Sequence, residues 1–249
     1  EFTLKNDFVF LNATFNKIII DNNKIDILIK LDDLDKAFVE RINVLGNFIT
    51  DEKVIRNSLI IDEGDSFNDI LFNRSISNLK SLNIFKSVDY QIVEEKNLKK
   101  VIDITVEEKP TGEVFAGAGT GTTGSNITAG IKENNYLGLG IKLDTNLTLT
   151  DDSIKGKFSV LNPNYNNSDK SLKTVIESST DDFFTLSGYK TSKTGFTIAT
   201  EFEQMNDMFV NLEVSNYYED LKTSSTATSI VKKQEGNYFD SFIGLDFFY

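Results

Sequence analysis

The distribution of apolar and polar residues divides the chain into two parts with different periods. From Gly112 onward, apolar and polar positions alternate, and this period of two predicts β-strands. Representative apolar faces are Ile141, Leu143, Leu147 and Leu149 in one strand, Met208, Val210, Leu212 and Val214 in another, and Phe239, Ile243, Leu245 and Phe247 in the last. About eight such strands are predicted, each close to the about 9–11 residues that cross a bilayer at a tilt. The second part is therefore predicted to be an antiparallel all-β structure.

The connections between these strands differ in length. Compact turns, such as residues 162–165, alternate with the long polar loop 219–237. Short turns on one side of the strands and longer loops on the other are typical of transmembrane β-barrels. A soluble sandwich with one buried face has the same period, so the pattern alone leaves both architectures open.

Residues 38–108 mix strand and helix periods. A strand is predicted at residues 38–44, and the following helix is predicted to be capped by Thr50 and ended by Gly64. A second helix is predicted to open at a capping box that runs from Ser66 to Asp69. Two strands, residues 85–93 and 101–106, complete the unit. The order is β-α-α-β-β in about 70 residues, which is the size of a small α+β domain.

The start of the chain resembles the end of that unit. Residues 8–20 and 25–31 are strand-like and match the last two strands of a second β-α-α-β-β copy. A further change of texture falls at residues 109–112, Lys-Pro-Thr-Gly. Three regions are therefore predicted. Residues 1–36 are the C-terminal part of one domain, residues 37–110 are a complete domain, and residues 111–249 hold the alternating strands.

Composition restricts the chemistry. The chain has no Cys and no His, which excludes thiol nucleophiles, imidazole bases and the common zinc sites. Carboxylate chemistry alone stays open, and we expect no metal and no cofactor. The net charge of −12 argues against a duplex nucleic-acid partner, which would select a basic stripe.

One glycine-rich stretch has the spacing of a nucleotide-binding loop. Gly119, Gly121 and Gly124 form G-x-G-x-x-G, which cradles a pyrophosphate when a strand precedes it and a helix follows. Downstream, however, Ile127, Ala129 and Ile131 alternate with polar residues or glycine, so a strand follows. The glycines are therefore predicted to lie in a strand, where they serve a purpose other than phosphate binding.

Several segments, in this order and at this spacing, carry a family resemblance. They are VERINVLGN from Val39, TDEKVIR from Thr50, the pair Glu63-Gly64, VEEKPTG from Val106, ENNYLG from Glu133 and LNPNY from Leu161. Together they resemble the last POTRA domain and the first barrel strands of BamA-type outer-membrane β-barrel assembly proteins. The resemblance spans essentially the whole chain. It implies the end of one POTRA domain, one complete POTRA domain and the N-terminal half of a large barrel.

The resemblance also implies a function without bond-making chemistry, so that no catalytic residue is expected. Such proteins fold and insert other barrel proteins into the outer membrane of Gram-negative bacteria, with the POTRA domains in the periplasm. The partners that it implies are unfolded outer-membrane protein clients, accessory outer-membrane lipoproteins, periplasmic chaperones and the lipid bilayer. An edge strand of the domain, residues 85–93, is a candidate for strand addition by an extended client or chaperone segment.

Two sets of site residues are predicted within this family reading. The first is a weak lateral-gate strand, which lends its hydrogen-bonding groups to a client strand and consists of Val114, Phe115, Ala116, Gly117, Ala118, Gly119, Thr120 and Gly121. Of these, Val114, Ala116, Ala118 and Thr120 are predicted to face lipid. The second is a partner-docking pair, Glu63 with Arg56. The alternatives are a bend or bulge that needs the glycines, and a solvated helix-end carboxylate at Glu63.

Two rival functions stay open beside barrel assembly. A two-partner secretion pore has the same parts and moves a soluble client through its lumen. A soluble β-rich binding module would need no membrane. Closure of the strands as a small eight-stranded barrel is also geometrically possible.

Overall fold

The computed structural model of the chain describes residues 11–21, 24–33, 37–95, 98–121, 124–205 and 208–249. Two compact units are present: Glu1–Phe48 with Glu52–Glu108, and Ile49–Asp51 with Lys109–Tyr249. The longest helix in the described ranges has 13 residues. Within these ranges, no helix is long and apolar enough to cross a membrane.

The first unit contains a hairpin and a three-stranded sheet. In the hairpin, β1 (Leu11–Asp21) pairs antiparallel with β2 (Lys24–Asp33). The sheet consists of β3 (Phe38–Leu45), β4 (Phe85–Glu95) and β5 (Lys99–Glu108), with α1 (Glu52–Arg56) and α2 (Asp69–Ser81) between β3 and β4 in the chain. The central strand, β5, runs parallel to β3 and antiparallel to β4. The predicted β-α-α-β-β order is confirmed. Residues 8–10 of the first predicted strand lie outside the described residues.

The end of the first helix and the start of the second differ from the prediction. The helix expected between Thr50 and Gly64 is α1 alone, because backbone bonds of the i→i+3 type close its last turn, from Ser58 N–H to Ile55 C=O and from Leu59 N–H to Arg56 C=O, both at 3.0 Å. The cap of α2 is Asn68, whose Oδ1 accepts from the N–H groups of Ile70 and Leu71. Ser66 instead pairs with Phe38 in an isolated antiparallel bridge.

The core of the first unit lies between α2 and the central strand. Ile102 and Ile104 of β5 and Leu79 of α2 are essentially inaccessible to solvent. Ser75 is the buried polar residue of α2, and its hydroxyl donates to Leu71 C=O and accepts from Ile60 N–H. Each buried hydrogen-bonding group of this side chain is therefore satisfied, as a close-packed core needs.

The second unit is an eight-stranded antiparallel sheet in which chain neighbours pair. Its strands are β6 (Gly112–Gly121), β7 (Gly124–Tyr136), β8 (Ile141–Thr150), β9 (Ser153–Asn162), β10 (Leu172–Phe183), β11 (Tyr189–Met205), β12 (Met208–Thr223) and β13 (Gly236–Phe248). Short helical turns, α3 (Phe184–Ser187) and α4 (Ser229–Lys232), lie in connections. Within the described residues β6 and β13 are the two edges and do not pair with each other. The sheet is open, so the small closed barrel is not formed.

Candidate functional site: the glycine-rich edge strand and the apolar face

The glycine-rich stretch is the edge strand β6. It pairs one to one with β7, from Gly112 opposite Glu133 to Gly121 opposite Gly124, without a register shift. Gly117, Gly119 and Gly121 do not have positive φ angles. The pairing of β6 with β7 therefore has no bulge at these glycines. Since β7 follows β6, a strand and not a helix leaves the G-x-G-x-x-G spacing, and a phosphate has no helix N-terminus there.

The register shows which residues of β6 share a face. Val114, Ala116 and Ala118 lie opposite Ile131, Ala129 and Ile127 of β7. Those β7 residues lie opposite Thr145, Leu147 and Leu149 of β8 in turn. Thr120 follows on the same face, opposite Ser125. These β6 residues therefore border the apolar face of the sheet, and Phe115 with the three glycines borders the polar face.

The apolar face extends across all the strands and is exposed. Among its members, the exposed fraction of the residue is 79% for Val114, 55% for Ile154 and 85% for Ile243. Others on the face are Leu147, Phe158, Ile176, Phe196, Ile198, Leu212, Val214, Leu245 and Phe247, all classed as exposed. A soluble sandwich buries its apolar face against a second sheet, whereas this face has no protein cover among the described residues. An exposed apolar face of this extent fits hydrocarbon better than water.

The apolar band crosses the strands obliquely. The uninterrupted run of apolar side chains on this face is Ile127, Ala129 and Ile131 in β7, centred on Ala129, and Ile243, Leu245 and Phe247 in β13, centred on Leu245. The hydrogen-bonded register leads straight across from Ala129 through Leu147, Gly156, Ser178, Thr194 and Tyr218 to Phe239. In β13 the centre of the apolar run, Leu245, is thus six residues away from Phe239, the residue that the register reaches after six strand-to-strand steps. The apolar band therefore shifts by one residue per strand. With a rise of about 3.3 Å per residue and a strand spacing of about 4.8 Å, this shift corresponds to strands tilted by about 35° from the normal of the band. Membrane barrels have tilts of about 35–45°.

The polar face carries charges and small hydrogen-bonded side chains. Lys142, Asp144 and Asn146 of β8 lie on it. Between β11 and β12, Thr197 and Ser215 are buried and their hydroxyl groups lie 2.8 Å apart. In the described part of the chain, three or more acidic side chains nowhere converge in a way that would hold a metal ion. This face has the polar character of a water-lined barrel interior.

The predicted docking residues Arg56 and Glu63 lie together at the outer edge of β3. Glu63 Oε1 accepts from the Ile42 N–H at 3.0 Å, and Arg56 Nη2 donates to the Ile42 C=O at 2.9 Å. Arg56 Nε also donates to Glu52 Oε1 at 2.7 Å, and its Nη1 lies 3.5 Å from Glu63 Oε1. The hydrogen bond to Glu52 and the charges of both carboxylates raise the pKa of Arg56 above its usual value. Glu63 is thus not a merely solvated helix-end carboxylate.

These side chains occupy the place of a neighbouring strand. β3 is an edge of its sheet, and the N–H and C=O groups of Ile42 would otherwise face solvent. Gly64 and Asp65, in the loop before α2, cover the backbone groups of Val39 on the same edge. The Val39 N–H donates to the Asp65 C=O, and the Val39 C=O accepts from the Gly64 N–H. Covering an edge in this way prevents unwanted strand pairing. The Glu63 side chain is still 42% exposed, so its carboxylate stays accessible from solvent.

Replacement of Glu63 by Ala should destabilise the first unit by about 1 kcal/mol, because the Ile42 N–H loses its acceptor. Hydrogen–deuterium exchange at the Ile42 amide, together with urea unfolding of the chain, measures the effect. Glu52→Ala is the matched control, since it removes an exposed pair worth about 0.3–0.5 kcal/mol and leaves Ile42 covered. Unchanged exchange at Ile42 in Glu63→Ala would contradict the role assigned to this carboxylate.

Two contacts of the site are not among the sequence predictions. Phe115 of β6 lies opposite Gly130 of β7, and its ring covers that glycine. The edge role of Arg56 and Glu63 depends on Ile42, which the sequence shows only as an apolar strand residue. The first contact has a partial sequence signal, because two strand-like runs that follow each other closely in the chain are expected to pair as a hairpin, while the opposed residues depend on the register. The second has none, since the contacting residues are 14 and 21 positions apart.

Comparisons with known proteins bear on both units. The POTRA family model, described as surface antigen variable number repeat, matches residues 37–109. A provisionally named outer membrane protein assembly factor of Treponema pallidum (strain Nichols) is 32% identical over 123 residues, covering 46% of this chain and 15% of that protein. The outer membrane protein assembly factor BamA of Buchnera aphidicola subsp. Acyrthosiphon pisum (strain APS) is 30% identical over 139 residues, covering 53% of this chain and 22% of that protein. The chain spans less than a quarter of these relatives.

A solved structure has the same fold over nearly the whole chain. The crystal structure of BamA from Haemophilus ducreyi lacking POTRA domains 1–3 aligns with a TM-score of 0.65 and 19% identity, covering 97% of this chain and 49% of that one. These relatives are named as outer membrane protein assembly factors, and the exposed apolar face of the sheet is consistent with an outer-membrane location. The POTRA match at residues 37–109, the relatives named as assembly factors and the shared fold make the chain similar to BamA-type proteins, with a POTRA domain followed by barrel strands.

Proposed function

We propose that β6 is the lateral-gate strand of an outer-membrane assembly factor, and that it templates the strands of client barrel proteins as they enter the membrane. One observation carries the proposal. Within the described residues β6 is an edge of the sheet, its pairing to β7 is regular, and its glycines present almost no side chains on the polar face. Interior glycine weakens a strand's attachment, which an edge that must open needs.

The energetic task is to move unpaired backbone into lipid. Each unsatisfied N–H or C=O group costs several kcal/mol in hydrocarbon, so a lone strand does not enter the bilayer. An edge strand lowers this barrier because its free N–H and C=O groups pair with the incoming strand. The work is done by hydrogen-bond exchange, without a chemical reaction, and the relatives are named as assembly factors and not as enzymes.

The first unit supports this function by holding partners in the periplasm. The carboxylate of Glu63 is accessible and negatively charged, which suits a basic side chain of an accessory lipoprotein. β4 is the other edge of the three-stranded sheet and suits extended client or chaperone segments. Glu63→Gln separates docking from stability, because the amide oxygen still accepts from Ile42 while the charge is lost. Partner co-purification should fall in Glu63→Gln, with Ile42 amide exchange unchanged.

The experiment that tests the gate function is site-specific photo-cross-linking in the full-length protein. A benzoylphenylalanine at Ala118 on β6 should capture a client strand arrested during insertion. The same probe at Leu147 on β8, which has a neighbour on each side, is the matched control and should capture none. Capture at Leu147 as strong as at Ala118 would contradict the proposal.

The same experiment addresses the two rival functions. A two-partner secretion pore would bring its client to the polar face, so that a probe at Asn146 would capture it while Ala118 would not. A soluble β-rich module would show no membrane-dependent capture at any of these positions. The proposed function requires capture at Ala118 that depends on the membrane.

A further inference from the structure

β6 has almost no side-chain packing. Nine of its ten residues are exposed, and Phe115 is the single half-buried one. A strand of this composition has a weakly specified register, because a shift of two residues keeps the same residue types on the same faces. Only a few side-chain contacts are therefore available to hold β6 in register with β7.

Phe115 provides the one close packing contact. In the register it lies directly opposite Gly130. A Cβ atom at position 130 would come within 2.7 Å of Phe115 Cε1, and it would also collide with Phe115 Cζ and with the Thr145 carbonyl oxygen. The phenyl ring therefore occupies space that only glycine leaves free. Lys132 Nζ lies 5.5 Å from the ring centroid on the same face.

The same arrangement occurs a second time in the sheet. Tyr217 of β12 lies directly opposite Gly195 of β11, and a Cβ atom at position 195 would collide with the Tyr217 ring. Lys193 Nζ lies 4.3 Å from that ring centroid. A ring over a glycine, with a lysine beside the ring, thus joins neighbouring strands at two places on the polar face. Packing of an aromatic side chain over a cross-strand glycine is a known means of fixing strand pairing.

Beyond Phe115 the strand has no comparable contact on this face. A Cβ atom at Gly117 or Gly121 would meet no atom within 4 Å. At Gly119 it would meet only the amide side chain of Asn126, whose Oδ1 would lie 2.8 Å away. The side-chain contacts of β6 are therefore concentrated at its N-terminal end.

We propose that the Phe115–Gly130 pair sets the register between β6 and β7, and so positions the free edge of β6 for an incoming strand. The segment from Gly117 to Gly121 is then free to bend while the edge keeps its alignment. This role rests on the proposed gate function for its purpose, although the pair itself is a property of the sheet. A shift of two residues would remove the ring from Gly130 and place it against Thr128 or Lys132.

Disulfide trapping in the membrane-inserted protein tests the register directly. The chain contains no cysteine, so an introduced pair reports on its own contact. Ala116→Cys with Ala129→Cys probes the observed register, and Ala116→Cys with Ile131→Cys probes a shift of two. Opposed residues have Cα atoms about 4.5–5.5 Å apart, which a disulfide spans, whereas diagonal ones are about 7–8 Å apart. The wild-type background should form only the first cross-link.

Phe115→Ala and Gly130→Ala should each raise the yield of the shifted cross-link relative to the observed one by about fivefold or more, because a Gly-rich strand slips when its one specific contact is lost. Gly117→Ala is the matched control, since it adds the same methyl group where nothing lies within 4 Å, and it should leave the ratio unchanged. If both Phe115→Ala and Gly130→Ala retain the observed cross-link alone, the turn sets the register and the proposal is wrong.

The readout separates this role from the gate function. Cross-linking needs no client, so a shifted register in Phe115→Ala supports the role of the pair whatever happens to insertion. Client insertion is then measured in the same variants. A shifted register with normal insertion would leave the pair's role standing and count against β6 as the gate.

Discussion

Leu147→Arg should abolish stable membrane insertion of the sheet, at a cost of about 2–4 kcal/mol for an arginine near the bilayer midplane. Leu147 lies opposite Ala129, the centre of the apolar stretch of β7, and is 45% exposed on the apolar face. Its new charge would have to stay in hydrocarbon or distort the strand to reach water. The folded fraction in phosphatidylcholine vesicles, read from the electrophoretic shift between unheated and boiled samples, measures this cost.

Asn146→Arg is the control for this substitution. Asn146 precedes Leu147 in the same strand but lies on the polar face, between Lys142 and Asp144 on one side and Thr148 on the other. The same side chain there should change the folded fraction little, since an arginine on the polar face of a barrel meets water. If the two variants fold equally well and the chain is a monomer without detergent, the apolar face is not a membrane face. The soluble module would then be the better description.

Gly117→Thr combined with Gly121→Thr should make β6 more stable and client insertion slower. Each glycine in a strand interior costs about 0.5–1 kcal/mol relative to alanine, and a β-branched residue adds to that gain, so the pair should stabilise the closed edge by about 2 kcal/mol. A stabilisation of this size lowers the population of molecules in which the β6 edge is open by about 30-fold, and the rate of client insertion falls by the same factor. Both positions have room for a Cβ atom, so the substitution introduces no collision there.

This variant distinguishes a stabilised edge strand from a damaged fold. In a stabilised edge, amide exchange in β6 should slow down while insertion of a client into vesicles falls. In a damaged fold, amide exchange in β6 would become faster. Gly156→Thr is the matched control, because Gly156 lies in the interior strand β9 and a Cβ atom there would meet only Leu147 Cδ1, at 3.9 Å. Slower exchange in β6 with unchanged insertion would remove the support for a glycine-weakened gate.

Much of the barrel part was predictable because alternation is a local property. The period puts Val114 and Ala116 on one face of β6, and the register places them opposite Ile131 and Ala129 on the apolar side. The helix limits were less predictable. Ser66 and Asn68 are both good capping residues, and the choice of Asn68 depends on Ser66 pairing with Phe38, which is 28 positions away.

The two docking candidates show a different kind of limit. Arg56 and Glu63 resemble a family pattern, and from the sequence either could have been an ordinary surface charge. Their hydrogen bonds to Ile42 arise because β3 is an edge strand, and edge position follows from the order β3–β5–β4. That order depends on the parallel pairing of β3 with β5, whose partners are some 60 residues apart in the chain.

The sequence by itself determined which side of each barrel strand is apolar and that the glycine-rich stretch is a strand. The reason is that successive side chains of a strand point to opposite sides, whatever the strand packs against. Only the tertiary structure decided which strand is an edge, which backbone groups the side chains cover, and which glycine is needed for space. Gly130 has to be glycine and Gly117 does not, because the Phe115 ring and the Thr145 carbonyl oxygen lie against one and nothing lies within 4 Å of the other. That difference belongs to residues on the neighbouring strands, which no local pattern contains.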